Sequence, residues 1–170
     1  MELNLTRCAI RDWRIEDAES LAKHANNRRV SINLRDRFPY PYRIEDARTF
    51  IERSMSDRKE KAHCIEINGS VVGSIGITIG EDVYRLTAEM GYWLAEEFWG
   101  QGIMSEVVPA FVEYCFQKFS LRRIHATTYS TNSASARVLE KAGFVFEGRL
   151  RNHVIKDGQI LDSLLYAKTI

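Results

Sequence analysis

Scarcity is the first property of this chain. Its 170 residues include three prolines, ten glycines and three cysteines, contain no run of 18 apolar residues, and carry a formal net charge of only +1. So few helix and strand breakers leave no low-complexity or linker segment, and no internal repeat is found, so boundaries must be read from single turn signals. Cys8, Cys64 and Cys115 are odd in number, widely spaced and outside any C-x-x-C pair, which fits reduced and mostly buried thiols rather than disulfides or zinc ligands. His24, His63, His125 and His153 lack metal-ligand spacing, so no metal is expected. Without a long apolar run, and with an opening MELNLTRCAIRDW that lacks a signal-peptide core, the expected place is the cytoplasm and no membrane partner is expected. A balanced charge supplies no general field for nucleic acid. The short basic patches RRIH (122–125), RLR (149–151) and RDRFPYPYR (35–43) read as solvated faces, so any anion must be held at a local site.

What is present suits a single folded domain over residues 1–170. The chain is 45% hydrophobic and 28% charged, enough to bury a core and too apolar to stay disordered. A strand near 6–12 leads to a helix starting around Glu16-Asp17, whose acidic first turn suits the helix dipole. The stretch 35–43 reads as a structured loop. A second helix follows over roughly 45–59, with Ala47, Phe50, Ile51 and Met55 at helical spacing. Strands 63–67 and 70–79 flank Asn68-Gly69, a dipeptide suited to the positive φ angles of a two-residue hairpin turn, and alternation places Val71, Ile75, Ile77 and Ile79 on one face. A strand at about 86–94 precedes FWGQGIMSE (98–106). The helix opened there buries Ile103, Val107, Phe111, Cys115 and Phe119 on one stripe, with Met104, Val108, Val112 and Phe116 beside it; Pro109 should cost one backbone bond and bend it locally. Then come strand 123–129, a helix over about 133–142 between the N-cap Asn132 and Gly143, a strand at 144–148, and a hairpin of 152–156 and 159–168 around Asp157-Gly158. The sum is a mixed α/β (α+β) domain, a largely antiparallel sheet with helices on its faces.

Glycine in front of a helix costs roughly 0.5–1 kcal/mol relative to alanine, so Gly100 and Gly102 suggest a surface that side chains would obstruct. Bare N–H groups and the positive dipole end of a helix make such a turn an anion site. A dinucleotide-binding G-x-G-x-x-G would need a glycine at Ser105, and no Walker lysine follows.

With a strand ending in GYWL (91–94), the Gly-x-Gly helix entrance, and NSASARVLEKAGF (132–144) in this order, the sequence resembles the GNAT superfamily of acyl-CoA-dependent N-acetyltransferases. The tail EGRLRNHVIKDGQILDSLLYA (147–167) is similar to the RimJ/RimL branch, which acetylates ribosomal-protein N-termini. The resemblance implies a GNAT fold of about seven strands and four helices, with acetyl-CoA as cosubstrate, an amine acceptor, and no metal. Its pyrophosphate loop falls on Glu97 to Gly102. Glu97 replaces the usual Arg or Gln, so its carboxylate should turn away while backbone N–H groups of residues 99–104 hold the phosphates, through Trp99, Gly100, Gln101, Gly102, Ile103 and Met104, with Ser105 adding a hydroxyl. Trp99 is either a loop anchor or a cofactor contact.

The family's pantothenate arm lies along the preceding strand end, here Tyr92-Trp93-Leu94, where an N–H of Leu94 or Trp93 would face the thioester oxygen. Asn132 and Ser135 match an Asn-x-x-Ser that touches the cofactor arm and sulfur, and Asn132 also serves as a helix cap; Lys141 would reach the 3′-phosphate or simply favour the helix end. The superfamily's usual tyrosine acid and glutamate base fall on Leu139 and Thr127, so neither role transfers. In the resembling branch the serine matching Ser135 is a candidate acid and is taken as such; Glu89, facing either the slot or solvent, is taken as the base, with His153, Asp162 and Glu147 as alternatives. The favoured acceptor is a protein or peptide α-amine, followed by small-molecule amines such as polyamines, amino acids or aminoglycosides; a non-catalytic acyl-CoA-binding domain is the rival. Loop 35–43 and the last hairpin wall the acceptor site in family members. The sequence leaves open whether two copies pair as a homodimer.

Overall fold

The computed structural model describes residues 1–57 and 59–170. Two short strands, β1 (Glu2–Asn4) and β2 (Ala9–Arg11), stand where one strand over 6–12 was expected, because the chain reverses at Thr6-Arg7 and Leu5 N–H bonds to the Cys8 carbonyl at 2.9 Å. A 3₁₀ turn (Ile15–Asp17) precedes α1 (Ala18–Ala25). Asp17 accepts the Arg14 N–H and hydrogen bonds from the Arg11 Nη1 and Nη2 groups, each at 2.8 Å, so this buried carboxylate is fully paired. A one-turn helix, α2 (Arg28–Ser31), was not anticipated; Asn27 starts it by accepting the Arg29 N–H at 2.8 Å. Helix α3 (Ile44–Ser56) is shorter than the expected 45–59, of which position 58 lies outside the described residues.

The hairpin of β3 (Glu60–Ile67) and β4 (Ser70–Ile79) turns at Asn68 (φ 51°) and Gly69 (φ 77°). Between Ile65↔Gly73 and Glu66↔Val71 the ladder skips Val72, and this bulge corrects the sequence reading of one apolar face. Ile75 and Ile77 join the core under α4, whereas Val71 turns to the α1–α3 side. Strand β5 (Thr87–Leu94), helix α4 (Ile103–Phe119), β6 (Arg123–Tyr129) and α5 (Ser133–Lys141) follow. Helix α4 continues through Pro109 and buries eight residues on the sheet, Phe111 among them with no exposed surface. The expected strand 144–148 and hairpin arm 152–156 are one strand, β7 (Val145–Lys156), paired with β8 (Gln159–Thr169). Two breaks in register, at Phe146/Gly148 and Leu150/Val154, with Asn152 at φ 50°, explain why it reads as two. The described residues thus form eight strands and five helices rather than seven and four.

The sheet order is β1-β2-β3-β4-β5-β6-β8-β7, antiparallel except for β5–β6. Helices α4 and α5 cover one face; α1 and α3 cover part of the other.

Candidate active site

The parallel pair is brief. Strands β5 and β6 pair only from Thr87↔Arg123 to Glu89↔His125, then part. Beyond that point β5 stays with β4 as far as Gly73↔Leu94 and β6 stays with β8 as far as Tyr129↔Ser163, so each ladder pulls its strand away from the other. A wedge opens between Met90–Leu94 and Ala126–Tyr129. It belongs to a cleft of about 940 Å³ that continues over the sheet face toward β3. Ladder parity decides which backbone groups face it. Ala95 N–H bonds to the Val72 carbonyl at 2.8 Å, so residues of that parity, Trp93 included, are turned to β4, while Tyr92 presents N–H and C=O to the wedge and Leu94 its N–H, the Leu94 carbonyl being taken by the Trp99 indole. Of the two oxyanion donors considered from sequence, the ladder leaves Leu94 on the cleft side.

At the wedge's mouth a 3₁₀ turn (Glu96–Phe98) leads into Trp99-Gly100-Gln101-Gly102. Gly100 (φ 73°) and Gly102 (φ 78°) are left-handed, a conformation costing L-residues about 1–2 kcal/mol. A Cβ on Gly100 would meet nothing within 4 Å, and one on Gly102 only the Arg7 guanidinium at 4.0 Å. The glycines therefore keep open surface bare. Trp99 spends its N–H on the Glu96 carbonyl (3.0 Å) and Ser105 its own on Gly102 (3.1 Å), leaving the Gly100–Met104 donors at the opening. Ile103 and Met104 contribute backbone alone, because their side chains are in the core. Trp99 anchors the loop, its indole N–H bonding the Leu94 carbonyl at 2.7 Å with Arg29 over its ring at 5.7 Å, and it also lines the cleft. Gln101 Nε2 caps the Glu97 carbonyl at 2.8 Å. The Glu97 carboxylate lies 3.1 Å from His24 Nε2, while Asn27 (2.8 Å) and Arg29 bind Glu96, so α1 and α2 strap the loop from behind.

Across the wedge, Asn132 Oδ1 accepts the Ser135 N–H at 3.2 Å, and Ser135 Oγ lies 2.8 Å from the Tyr92 hydroxyl. Burial pushes the Tyr92 phenol up to about 12. Thr128, only 6% exposed, also lines the cleft, and its hydroxyl has no partner among the described residues. Lys141 borders the cleft at the far end of α5.

On the opposite face, Glu89 lines the cleft with its side chain 34% exposed and pairs with Arg35. Arg37 (3.1 Å) and Arg53 (3.3 Å) share Glu60, and the floor between is Ala62, Gly76 and Gly91. The loop meets the final hairpin through Lys156–Asp36 (2.8 Å), and α2 meets it through Arg28–Asp157. His153 (to Ser163, 3.0 Å), Asp162 (to Arg149, 2.6 Å) and Glu147 (to Arg123, 2.7 Å) face elsewhere and do not line the cleft.

A family model described as "Acetyltransferase (GNAT) domain" matches residues 7–145. The chain belongs to the GNAT acetyltransferase family. This GNAT protein is 37% identical over 97 residues to the N-acetyltransferase YoaA of Bacillus subtilis, covering 57% of this chain and 54% of YoaA. It is 33% identical over 100 residues to the putative ribosomal N-acetyltransferase YdaF of the same organism, covering 59% and 54%. The matched stretch thus spans about half the length of these two relatives. Its fold is shared with the ribosomal alpha-N-protein acetyltransferase RimL solved with coenzyme A, at TM-score 0.88 and 23% identity over 100% of this chain and 98% of that one. No helix among the described residues is long and apolar enough to cross a membrane, and none of their His, Cys, Asp and Glu side chains cluster as a metal site.

Several partners had no signal in the sequence. The parity of β5 separates Tyr92 from Glu89, but nothing in the spacing announces that Tyr92 meets Ser135 43 residues on, or that Arg35 meets Glu89 54 residues on.

Proposed function

We propose that this GNAT protein transfers the acetyl group of acetyl-CoA to the α-amine of a protein or peptide N-terminus. One observation carries the reading: a bare, glycine-lined helix entrance stands at the mouth of a wedge whose strand edges have no strand partner. The Gly100–Met104 donors suit a diphosphate, since charge-assisted hydrogen bonds contribute about 1.5–3 kcal/mol each. The edge of Tyr92 and Leu94 suits the amide-bearing arm, and Lys141 suits the 3′-phosphate.

The wedge continues into a floor of Gly91, Gly76 and Ala62 on three neighbouring strands, a span of about 10 Å, which about three extended residues fill. That shape favours a chain end over a bulky ring system. The name of the relative YdaF, a putative ribosomal N-acetyltransferase, points the same way. An α-amine titrates near 7.7–8.0 against about 10.4 for lysine, so a usable neutral fraction exists without a strong base. Held together, amine and thioester gain up to about 7–11 kcal/mol from proximity. Leu94 N–H stabilises the oxyanion, Glu89 takes the ammonium proton directly or through water, and Ser135 faces the sulfur.

The test is a CoA-release assay over peptides beginning with Ala, Ser or Met, beside spermidine, free amino acids and aminoglycosides. Turnover confined to peptides is expected. Turnover with a polyamine or drug and none with any peptide overturns the α-amine assignment, and acetyl-CoA binding without turnover on any amine leaves the non-catalytic reading.

A further inference from the structure

We propose that Tyr92 is a positioning residue, which orients the Ser135 hydroxyl so that its proton points into the wedge at the leaving sulfur. This rests on the function proposed above and assigns a role to a side chain otherwise needed only for packing.

The geometry allows few arrangements. Both acceptors within reach of the Tyr92 hydroxyl belong to Ser135: Oγ at 2.8 Å and the backbone carbonyl at 3.3 Å. Inside a helix that carbonyl also serves an N–H four residues on, so the shorter contact to Oγ is the better bond. Each hydroxyl owns a single proton. When the phenol donates, Ser135 keeps its own proton free. Ser135 lies in the first turn of α5, where Asn132 Oδ1 already holds its N–H and the Asn132 carbonyl serves Ala136 N–H at 3.4 Å. The hydroxyl is left with the cleft, which Ser135 lines. Thr128 lines the same cleft with a buried hydroxyl, a second polar group that has no partner among the described residues.

Chemistry separates orienting from proton transfer. The acceptor nitrogen forms a bond to the acetyl carbon, the ammonium proton passes to Glu89 or water, and the carbon–sulfur bond breaks with its electron pair on sulfur. A thiol titrates near 8.5, whereas burial holds the Tyr92 phenol at about 12, so the thiolate does not strip Tyr92. The phenol keeps its proton. What reaches the sulfur is a hydrogen bond from Ser135, aimed by Tyr92.

The experiment titrates the thiol of CoA bound to the whole protein by ultraviolet thiolate absorbance, with no acceptor present, in wild type, Tyr92→Phe, Ser135→Ala and the double variant. The bound thiol is expected to titrate below its free value in wild type. Each single variant should raise it, and the double variant should match Ser135→Ala. In turnover with a peptide, Ser135→Ala should lose about tenfold or more in kcat, as expected for one hydrogen bond to a developing charge, and Tyr92→Phe several-fold. KM for acetyl-CoA and the melting temperature should hold in Tyr92→Phe, which a packing role alone would not combine with a shifted thiol. An unmoved thiol in a Tyr92→Phe protein that binds CoA normally, or additive effects in the double variant, overturns this inference alone. Failure of wild type to bind CoA overturns it together with the proposed function.

Discussion

The two faces of the sheet hold their halves of the cleft by different means. On the α4–α5 face, positions follow from a packed apolar core, from backbone ladders and from one part-buried hydroxyl pair. On the α1–α3 face, the open half is arranged by exposed arginines in ion pairs, Arg35 with Glu89 from far along the chain and Arg37 and Arg53 with the less exposed Glu60. Packing is insensitive to salt and intolerant of lost volume, while exposed ion pairs are the reverse. The division suits a site whose donor is constant and whose acceptor side must adapt.

The contrast can be broken most forcefully in the core. Phe111→Ala should destabilise the protein by about 3–5 kcal/mol, read as a fall in chemical-denaturation midpoint, because the cavity would sit in the middle of α4's buried face. At the glycine turn, replacing both Gly100 and Gly102 by valine imposes about 1–2 kcal/mol of left-handed strain per site and covers the bare donors. Calorimetry should then find acetyl-CoA affinity lower by about tenfold or more, and unchanged affinity would remove the turn from the binding site.

A smaller effect is expected in acid. Burial works to raise the Asp17 pKa, but hydrogen bonds from Arg11 and the Arg14 N–H outweigh it and hold the carboxyl below its usual range. A depressed folded-state value means the unfolded chain binds the proton more readily, so this contribution is complete above about pH 4 and is lost as pH falls through the folded value. Asp17→Asn should flatten that part of the stability profile. The mildest change belongs to the charged half. Arg35→Ala should alter acceptor KM by no more than about fivefold, since an exposed pair contributes about 0–1 kcal/mol, and the difference should shrink as salt rises. A large, salt-independent effect on acetyl-CoA binding instead would mean that the two halves are not separable.

Much of the fold was legible because its signals are local. Asn68-Gly69 and Asp157-Gly158 turn where their dihedral preferences demand, β6 occupies the expected 123–129, and the apolar stripe from Ile103 packs as its spacing requires as far as Phe116, Phe119 at its end being only partly buried. Two misreadings arose where one residue changes the phase. The bulge at Val72 sends Val71 to the other face, and the left-handed Asn152 makes one long strand look like two. Of the candidate site, the glycine turn and the Asn132 cap could be read in advance, each being a contact within a few residues. Trp99 could not be resolved, since its role depends on which carbonyl its indole reaches.

By itself the sequence determined the order of the longer elements, the bare glycine entrance to α4, and the family resemblance, since dihedral preference and apolar periodicity act over a few residues. Only the tertiary structure decided that β5 and β6 part after three pairs, that Leu94 rather than Trp93 faces the gap, that Glu89 meets Arg35, and that Tyr92 meets Ser135. Those outcomes depend on which distant strands compete for the same backbone groups and on which distant side chains that competition brings together, and no local preference encodes the result of such a competition.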